Sequence, residues 1–267
     1  MKRVVFNQKG GVGKTSITCN LAAISASQGL RTLVIDLDVQ GNTTHYLVGE
    51  IDADAFPAEA QGVAGLFKQT VGSRKMRQNP DSFVWETPYE NLFLMPASPA
   101  LSDMEKELES RYKIYKLRDA LTKLDEEYDR VYIDTPPNFN FYSKSALIAA
   151  DTVLIPFDCD SFARQSLYAL TDNIDELQED HNPDLSIEGV VINQFNSQAR
   201  LPGELVAELK DEGYPVLKTF LNTSVKMKES HREHRPLVDM APSHKLTTQY
   251  LDLHAELEKG LRRRARK

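Results

Sequence analysis

The sequence predicts an α/β fold, a mostly parallel twisted sheet with helices on both faces, and three observations predict it. Short, continuously apolar strands alternate with helical stretches along nearly all 267 residues. A glycine-rich loop, Lys9-Gly10-Gly11-Val12-Gly13-Lys14-Thr15, joins the first strand to the first helix. Acidic residues close later strands, at Asp36, Asp38 and Asp134, where an open parallel sheet places its ligand crevice.

In chain order, residues 4–7 read as a short buried strand and 16–28 as a helix with Ile17, Leu21 and Ile24 on one face, stopped by Gly29. Residues 32–37 form a second strand, completing a right-handed βαβ unit. The stretch from about 50 to 88, punctuated by Pro57, Gly62, Gly65, Gly72 and Pro80, reads as a surface excursion with one helical piece at 63–70. Residues 91–95 resume the strand pattern and 101–124 read as one charged helix. A strand follows at 130–134, closed by Thr135-Pro136-Pro137. Three further alternations complete the pattern, with strands at 152–156, 188–193 and 216–221. Helices follow at 166–178, 203–212, 224–232 and 245–261. Without repeats or a low-complexity linker, residues 1–258 read as one domain and 259–267 as a basic tail.

Composition narrows the function classes. Hydrophobic residues make up 41% and charged residues 27%, ordinary for a soluble globular chain. A net charge of −7 argues against a uniformly basic nucleic-acid binder but allows a local basic patch. Cys19 and Cys159 are far apart and belong to no C-x-x-C pair, which speaks against zinc and supplies no cluster ligand set. They read as reduced thiols of a cytoplasmic protein. No leader peptide is expected, and the apolar runs fall short of the roughly 20 residues that a spanning helix needs.

The glycine loop carries the chemistry. Gly10, Gly11 and Gly13 let backbone N–H groups turn toward phosphate oxygens. Lys14 is placed for the β- and γ-phosphates and Thr15 for Mg²⁺. Gln8 stands where the P-loop pattern G-x-x-x-x-G-K-[ST] has its first glycine, and Lys9 adds a second cation at the loop mouth. Asp134, after Val131-Tyr132-Ile133, fits a Walker B carboxylate that holds Mg²⁺, and Asp36 and Asp38 end a strand facing the same crevice. Each of these two aspartates also fits a plain turn cap.

These motifs, with Asp36-Leu37-Asp38-Val39-Gln40-Gly41-Asn42 and Asp134-Thr135-Pro136-Pro137, resemble the ParA family of deviant Walker A ATPases within the ParA/MinD group of P-loop NTPases. Nearly the whole chain shares the resemblance, including Asn91-Leu92-Phe93-Leu94-Met95-Pro96-Ala97 and Ala241-Pro242-Ser243-His244. It implies a three-layer P-loop NTPase fold, ATP and Mg²⁺ as ligands, and slow, partner-stimulated ATP hydrolysis. By the same resemblance, Lys9 to Thr15 and Ser16 surround the phosphates, and Lys9 crosses to ATP in a second subunit, making a sandwich homodimer. Asp38 positions the attacking water, Asp36 sits beside the Mg²⁺ shell with Thr15 and Asp134, and Asn193 hydrogen-bonds the adenine. The catalytic set so implied is Lys9, Lys14 and Asp38. Val39 departs from the proline that many relatives carry, a change in loop stiffness more than in chemistry.

The resemblance also implies nonspecific DNA binding and a ParB-like or cargo adaptor protein, hence a nucleoid-associated location. Lys226, Lys228, Arg232 and Arg235 are the candidate DNA contacts, with Lys228 and Arg232 sharing a helix face at i, i+4. A solvated charged face reads equally from the same residues. The tail, with Leu261 and Ala265 as its apolar residues, offers too little for membrane insertion and reads as a disordered basic arm or a solubilising terminus. With no helix-turn-helix segment expected before the first strand, operator recognition is not predicted. Two other readings stay open: a MinD-type membrane-cycling regulator, and an ATP-dependent metabolic enzyme on the same fold.

Overall fold

The computed structural model describes residues 1–49, 61–69, 78–159, 163–196 and 200–264. Their strands, β1 (Lys2–Val5), β2 (Thr32–Asp36), β3 (Trp85–Glu86), β4 (Leu92–Met95), β5 (Arg130–Asp134), β6 (Thr152–Asp158) and β7 (Ser186–Asn193), form one sheet in the order β3-β4-β2-β5-β1-β6-β7. Every pairing is parallel except β3 with β4. The helices are α1 (Lys14–Ser27), α2 (Asn42–Val48), α3 (Gly62–Lys68), α4 (Ala100–Ser110), α5 (Lys116–Leu124), α6 (Phe141–Ala149), α7 (Ala163–His181), α8 (Arg200–Asp211), α9 (Val225–Arg232), α10 (Leu237–Met240) and α11 (Lys245–Arg264).

The period-2 alternation of a strand divides the core into two layers. Val4, Leu33, Ile35, Val131 and Ile133 pack with Leu66 of α3, Leu121 of α5, Leu147 of α6 and Leu170 of α7. Their neighbours Val5, Val34 and Tyr132 face the other way, against Leu21 of α1, Leu47 of α2, Leu237 of α10 and Leu253 of α11. Both faces are therefore covered, which is why these strands read as unbroken apolar runs. This is the three-layer P-loop NTPase architecture that the motifs imply.

Three expectations change. The single helix expected over 101–124 is two helices: Tyr112 turns to φ 55° and the N–H of Lys113 reaches the carbonyl of Leu108 at 3.0 Å, a Schellman stop. The strand expected at 216–221 is not formed: an isolated bridge joins Val216 to Val190 of β7, and a second joins the next residue, Asn222, to Phe195. Its middle is taken by the Glu256 carboxylate, which accepts from the N–H groups of Lys218 and Thr219 at 2.8 and 3.0 Å. At the carboxyl end, α11 continues to Arg264, beyond the helix end expected at 261, and Arg264 donates to Ser186 Oγ at 3.1 Å. Residues 265–267 lie outside the described residues, as do 50–60 and 70–77 of the excursion near 50–88. Its helical piece is α3, which is buried in the core and not on the surface as expected because Val63, Leu66 and Phe67 pack there, and a 3₁₀ segment follows at Pro80–Phe83. None of the described helices is long and apolar enough to cross a membrane.

The layer holding α1 and α11 contains a buried ion pair. Arg3, fully buried on β1, donates from Nε and Nη2 to Glu188 on β7 at 2.5 and 2.8 Å, and from Nη1 to Tyr132 Oη on β5 at 2.9 Å. Ser25 Oγ of α1 then joins Tyr132 to His254 of α11, both at 2.9 Å. Glu188→Ala, which strands the guanidinium in this interior, should cost about 3–5 kcal/mol in urea denaturation, whereas the paired replacement Arg3→Met/Glu188→Leu should cost less than the single change.

Candidate functional site

The glycine loop lies between β1 and α1 because left-handed backbone is needed there: Gly11 and Gly13 have φ of 76° and 93°, and Gly13 caps α1. At Gly13 space is as restrictive as conformation, since a Cβ would lie 2.2 Å from Asn193 Nδ2. That amide donates instead to the Val12 carbonyl at 2.8 Å, and Gln194 Nε2 donates to the Gly11 carbonyl at 2.8 Å. The end of β7 thus props the loop from behind. Asn7 braces it from below, accepting from the N–H of Lys9 at 2.9 Å and donating to the Pro156 carbonyl at 2.7 Å.

The two lysines of the loop diverge. Lys14 is buried, donates from Nζ to the Lys9 carbonyl at 3.0 Å and lines the cavity described below. Burial pushes its ammonium below the usual lysine range, while Asp134 and Asp38 pull it back. Lys9 is one-third exposed, with Nζ 3.8 Å from Asp158 at the end of β6.

Asp36 and Asp134 sit opposite each other, in register at the carboxyl ends of β2 and β5, and both are fully buried. Asp134 Oδ2 accepts from Thr15 Oγ1 and Thr43 Oγ1, each at 2.7 Å. Asp36 Oδ2 accepts from Thr44 N and Oγ1 at 2.8 and 2.7 Å, and Oδ1 from the N–H of Asp38 at 3.1 Å. Asp36 thereby fixes the start of α2. Burial, aided by the charge of Asp134, pushes the Asp36 carboxyl up to about 8; burial pushes Asp134 up to about 6 against its hydroxyl donors. Asp38 follows at the turn, accepting from the N–H of Gln40 at 3.0 Å and lining the cavity.

This donor set fits a hard divalent cation. Asp134 Oδ1 is a buried oxygen with no hydrogen-bond partner, and the Thr15 hydroxyl, whose proton is spent on Oδ2, keeps lone pairs for a metal. Asp134 and Thr15 would hold the ion, with Asp36 adding charge from behind.

A cavity of about 590 Å³ opens over the loop, walled by Lys14, Thr15 and Ser16 on one side and by Asp38, His45, Tyr46, His231 and His234 on the other. A second of about 150 Å³ shares Gly11, Gly13 and Ser16 and continues past Asn193, Asn222, Met227 and Tyr250. The structure brings the loop and Asp38 to the large cavity and Asn193 to the smaller one, with Asp134 bonded to Thr15 of the loop and Asp36 in register beside it. Thr43, Tyr46 and His231 were not anticipated; the Thr43-Thr44 pair directly after Gly41-Asn42 was the signal available for the first.

The candidate DNA contacts separate. Lys226 pairs with Glu229, and Arg235 with Asp239 at 2.8 Å. Lys228 borders the smaller cavity, and Arg232 is 77% exposed with Glu233 3.9 Å from its Nη2.

The paired carboxylates make a pH prediction. Both folded values lie above the roughly 3.9 of an unfolded aspartate, so their favourable contribution is complete below pH 4 and is lost as pH rises through about 6 and then 8. Asp134→Asn should therefore melt higher than the parent at pH 8 without divalent cation, by the equivalent of about 1–3 kcal/mol, and the gap should narrow below pH 6 and close toward pH 4. Thermal melts across that range, cation-free, check both signs.

The profile of the family described as an AAA domain matches residues 2–187. Chromosome partitioning protein ParA of Myxococcus xanthus is 34% identical over 96% of this chain and 87% of that protein. Sporulation initiation inhibitor protein Soj of Bacillus subtilis is 32% identical over 95% of this chain and 96% of that protein. Among solved structures, cobyrinic acid a,c-diamide synthase from Mycobacterium smegmatis, with a bound ATP analog and magnesium, superposes with a TM-score of 0.80 at 26% identity, covering 95% of this chain and 92% of that one. With a P-loop, a Walker B aspartate and a second lysine at the loop mouth set on this sheet, the chain belongs to the ParA family of P-loop ATPases.

Proposed function

We propose that the chain binds ATP with Mg²⁺, dimerises around it, and in that state binds nonspecific DNA, positioning a plasmid, chromosome or other cargo until a ParB-like or adaptor partner stimulates hydrolysis. The observation that carries this reading is the division of labour between the two lysines. Lys14 faces the cavity over the α1 terminus, whereas Lys9 faces Asp158 on the rim. A cation on the rim adds little to phosphates already held by Lys14 and the loop. A triphosphate brought by a second subunit would compete with Asp158 for it, so that ATP joins the two chains.

Lys14 and the backbone N–H groups would hold the phosphates, and Asp38, at the cavity edge, would orient the attacking water. Mg²⁺, when bound at Asp134 and Thr15, supplies charge neutralisation to the phosphates. The adenine would occupy the smaller cavity beside Asn193. Arg232 and Lys228 on α9 would contact DNA first, with Lys226 and Arg235 joining once their carboxylate partners are displaced. The likeness to the cobyrinic acid a,c-diamide synthase supports a second reading, an ATP-dependent enzyme acting on a small carboxylate. That reading predicts turnover accelerated by a carboxylate and an amine donor in the absence of DNA.

Sedimentation with nonspecific DNA separates the two. DNA should pellet the protein with ATP, not with ADP or without nucleotide, and the bound fraction should fall steeply between 50 and 200 mM salt. Lys9→Ala should abolish the ATP requirement's effect by removing ATP-dependent binding; binding that persists equally in this variant contradicts the dimer switch.

A further inference from the structure

The wall of the large cavity opposite the glycine loop comes from a segment more than two hundred residues away. His231 on α9 brings its Nε2 to 2.9 Å from the hydroxyl of Ser16, a sequence separation of 215. The pose is built from several sides. The imidazole stands edge-on to Tyr46, with ring centroids 4.5 Å apart. Tyr46 Oη is bonded to the neighbouring Ser230 at 2.5 Å and accepts from Asn20 Nδ2 at 3.0 Å. Asn20 Oδ1 in turn accepts from the N–H of Leu237 at 2.8 Å, which pins the start of α10 to α1. At its far end α9 closes in a Schellman turn: His234 adopts φ 52° and the N–H of Arg235 reaches the Ser230 carbonyl at 3.1 Å. Nδ1 of His234 lies 2.7 Å from the His45 carbonyl, a contact in which the imidazole must donate.

Ser16 marks a particular place in the site. It lines both the large cavity, which holds Lys14, and the smaller one, which holds Asn193. A nucleotide with its terminal phosphates at Lys14 and its base at Asn193 has its α-phosphate at that junction. There the N-terminal N–H groups of α1 favour an anion.

We propose that His231 is a phosphate-contacting residue of the nucleotide site, donating from Nε2 to the α-phosphate that the Ser16 hydroxyl also holds. The proposal rests on the ATP reading given above. In the nucleotide-free chain Ser16 and His231 bond to each other; with nucleotide bound, each turns its donor to a phosphate oxygen. The contact is charge-assisted, and it comes from α9, the helix that carries Lys226, Lys228 and Arg232.

A contact at the α-phosphate must serve ATP and ADP alike, which separates it from Lys9. Displacement of a fluorescent adenine nucleotide should show His231→Ala binding ATP and ADP each roughly tenfold more weakly than the parent. Lys9→Ala, by contrast, should affect ATP alone. His231→Gln, which keeps an N–H donor, should recover most of the loss. In ³¹P NMR of bound ADP, His231→Ala should move the α resonance and leave the β resonance in place. Affinities within twofold of the parent, together with an unmoved α resonance, overturn the proposal. Should His231→Ala prove insoluble, the α resonance of His231→Gln decides in the same way, a shift confined to α supporting the contact and none overturning it. A parent protein that binds neither nucleotide overturns the ATP reading instead.

Discussion

Two carboxylates buried in register at the ends of adjacent strands are the constraint around which the site is organised. Like charges held this close in a dry interior repel by several kcal/mol even at a generous effective dielectric. The chain answers with donors: Thr15 and Thr43 on Asp134, Thr44 and the Asp38 N–H on Asp36. The donors come from several structural junctions. Thr15 begins α1, Thr43 and Thr44 begin α2, and Thr44 also accepts from the N–H of Ala97 after β4 at 3.1 Å. Satisfying two charges therefore fixes where two helices start and how β4 approaches the sheet. Donors alone leave Asp134 Oδ1 unpaired, so the last part of the compensation is left to a cation.

Much of this was legible from sequence because it is local. The glycine loop, the strand-ending aspartates and the strands at 32–37 and 130–134 each declare themselves within a few residues. What escaped depends on distant partners. The segment 216–221 has the apolar content of a strand, yet Glu256 on α11 takes its amides. Helix α2 is short and its buried residues Thr43, Thr44, Tyr46 and Leu47 show no clear period, because both ends are fixed by the carboxylates and by Asn20. His231 sits in a run of charged residues that looks like any solvated face; only folding brings it to Ser16.

The same folding tempers the basic character of that run. Counted along the chain, residues 226–235 carry four Lys/Arg against Glu229 and Glu233, and in the fold Glu229 pairs with Lys226 and Asp239 with Arg235. Such exposed pairs are worth little energetically, roughly 0–1 kcal/mol, so they modulate more than they block.

Helix α9 is eight residues long, which at 1.5 Å per residue spans about 12 Å. One edge of it forms the pocket wall at His231, and the adjoining residue, Arg232, projects into solvent. Interior and exterior are consecutive positions on one stiff rod. Because His231 and Arg232 are consecutive on one helix held at Ser230 by Tyr46, a rigid-body shift of α9 would displace imidazole and guanidinium together.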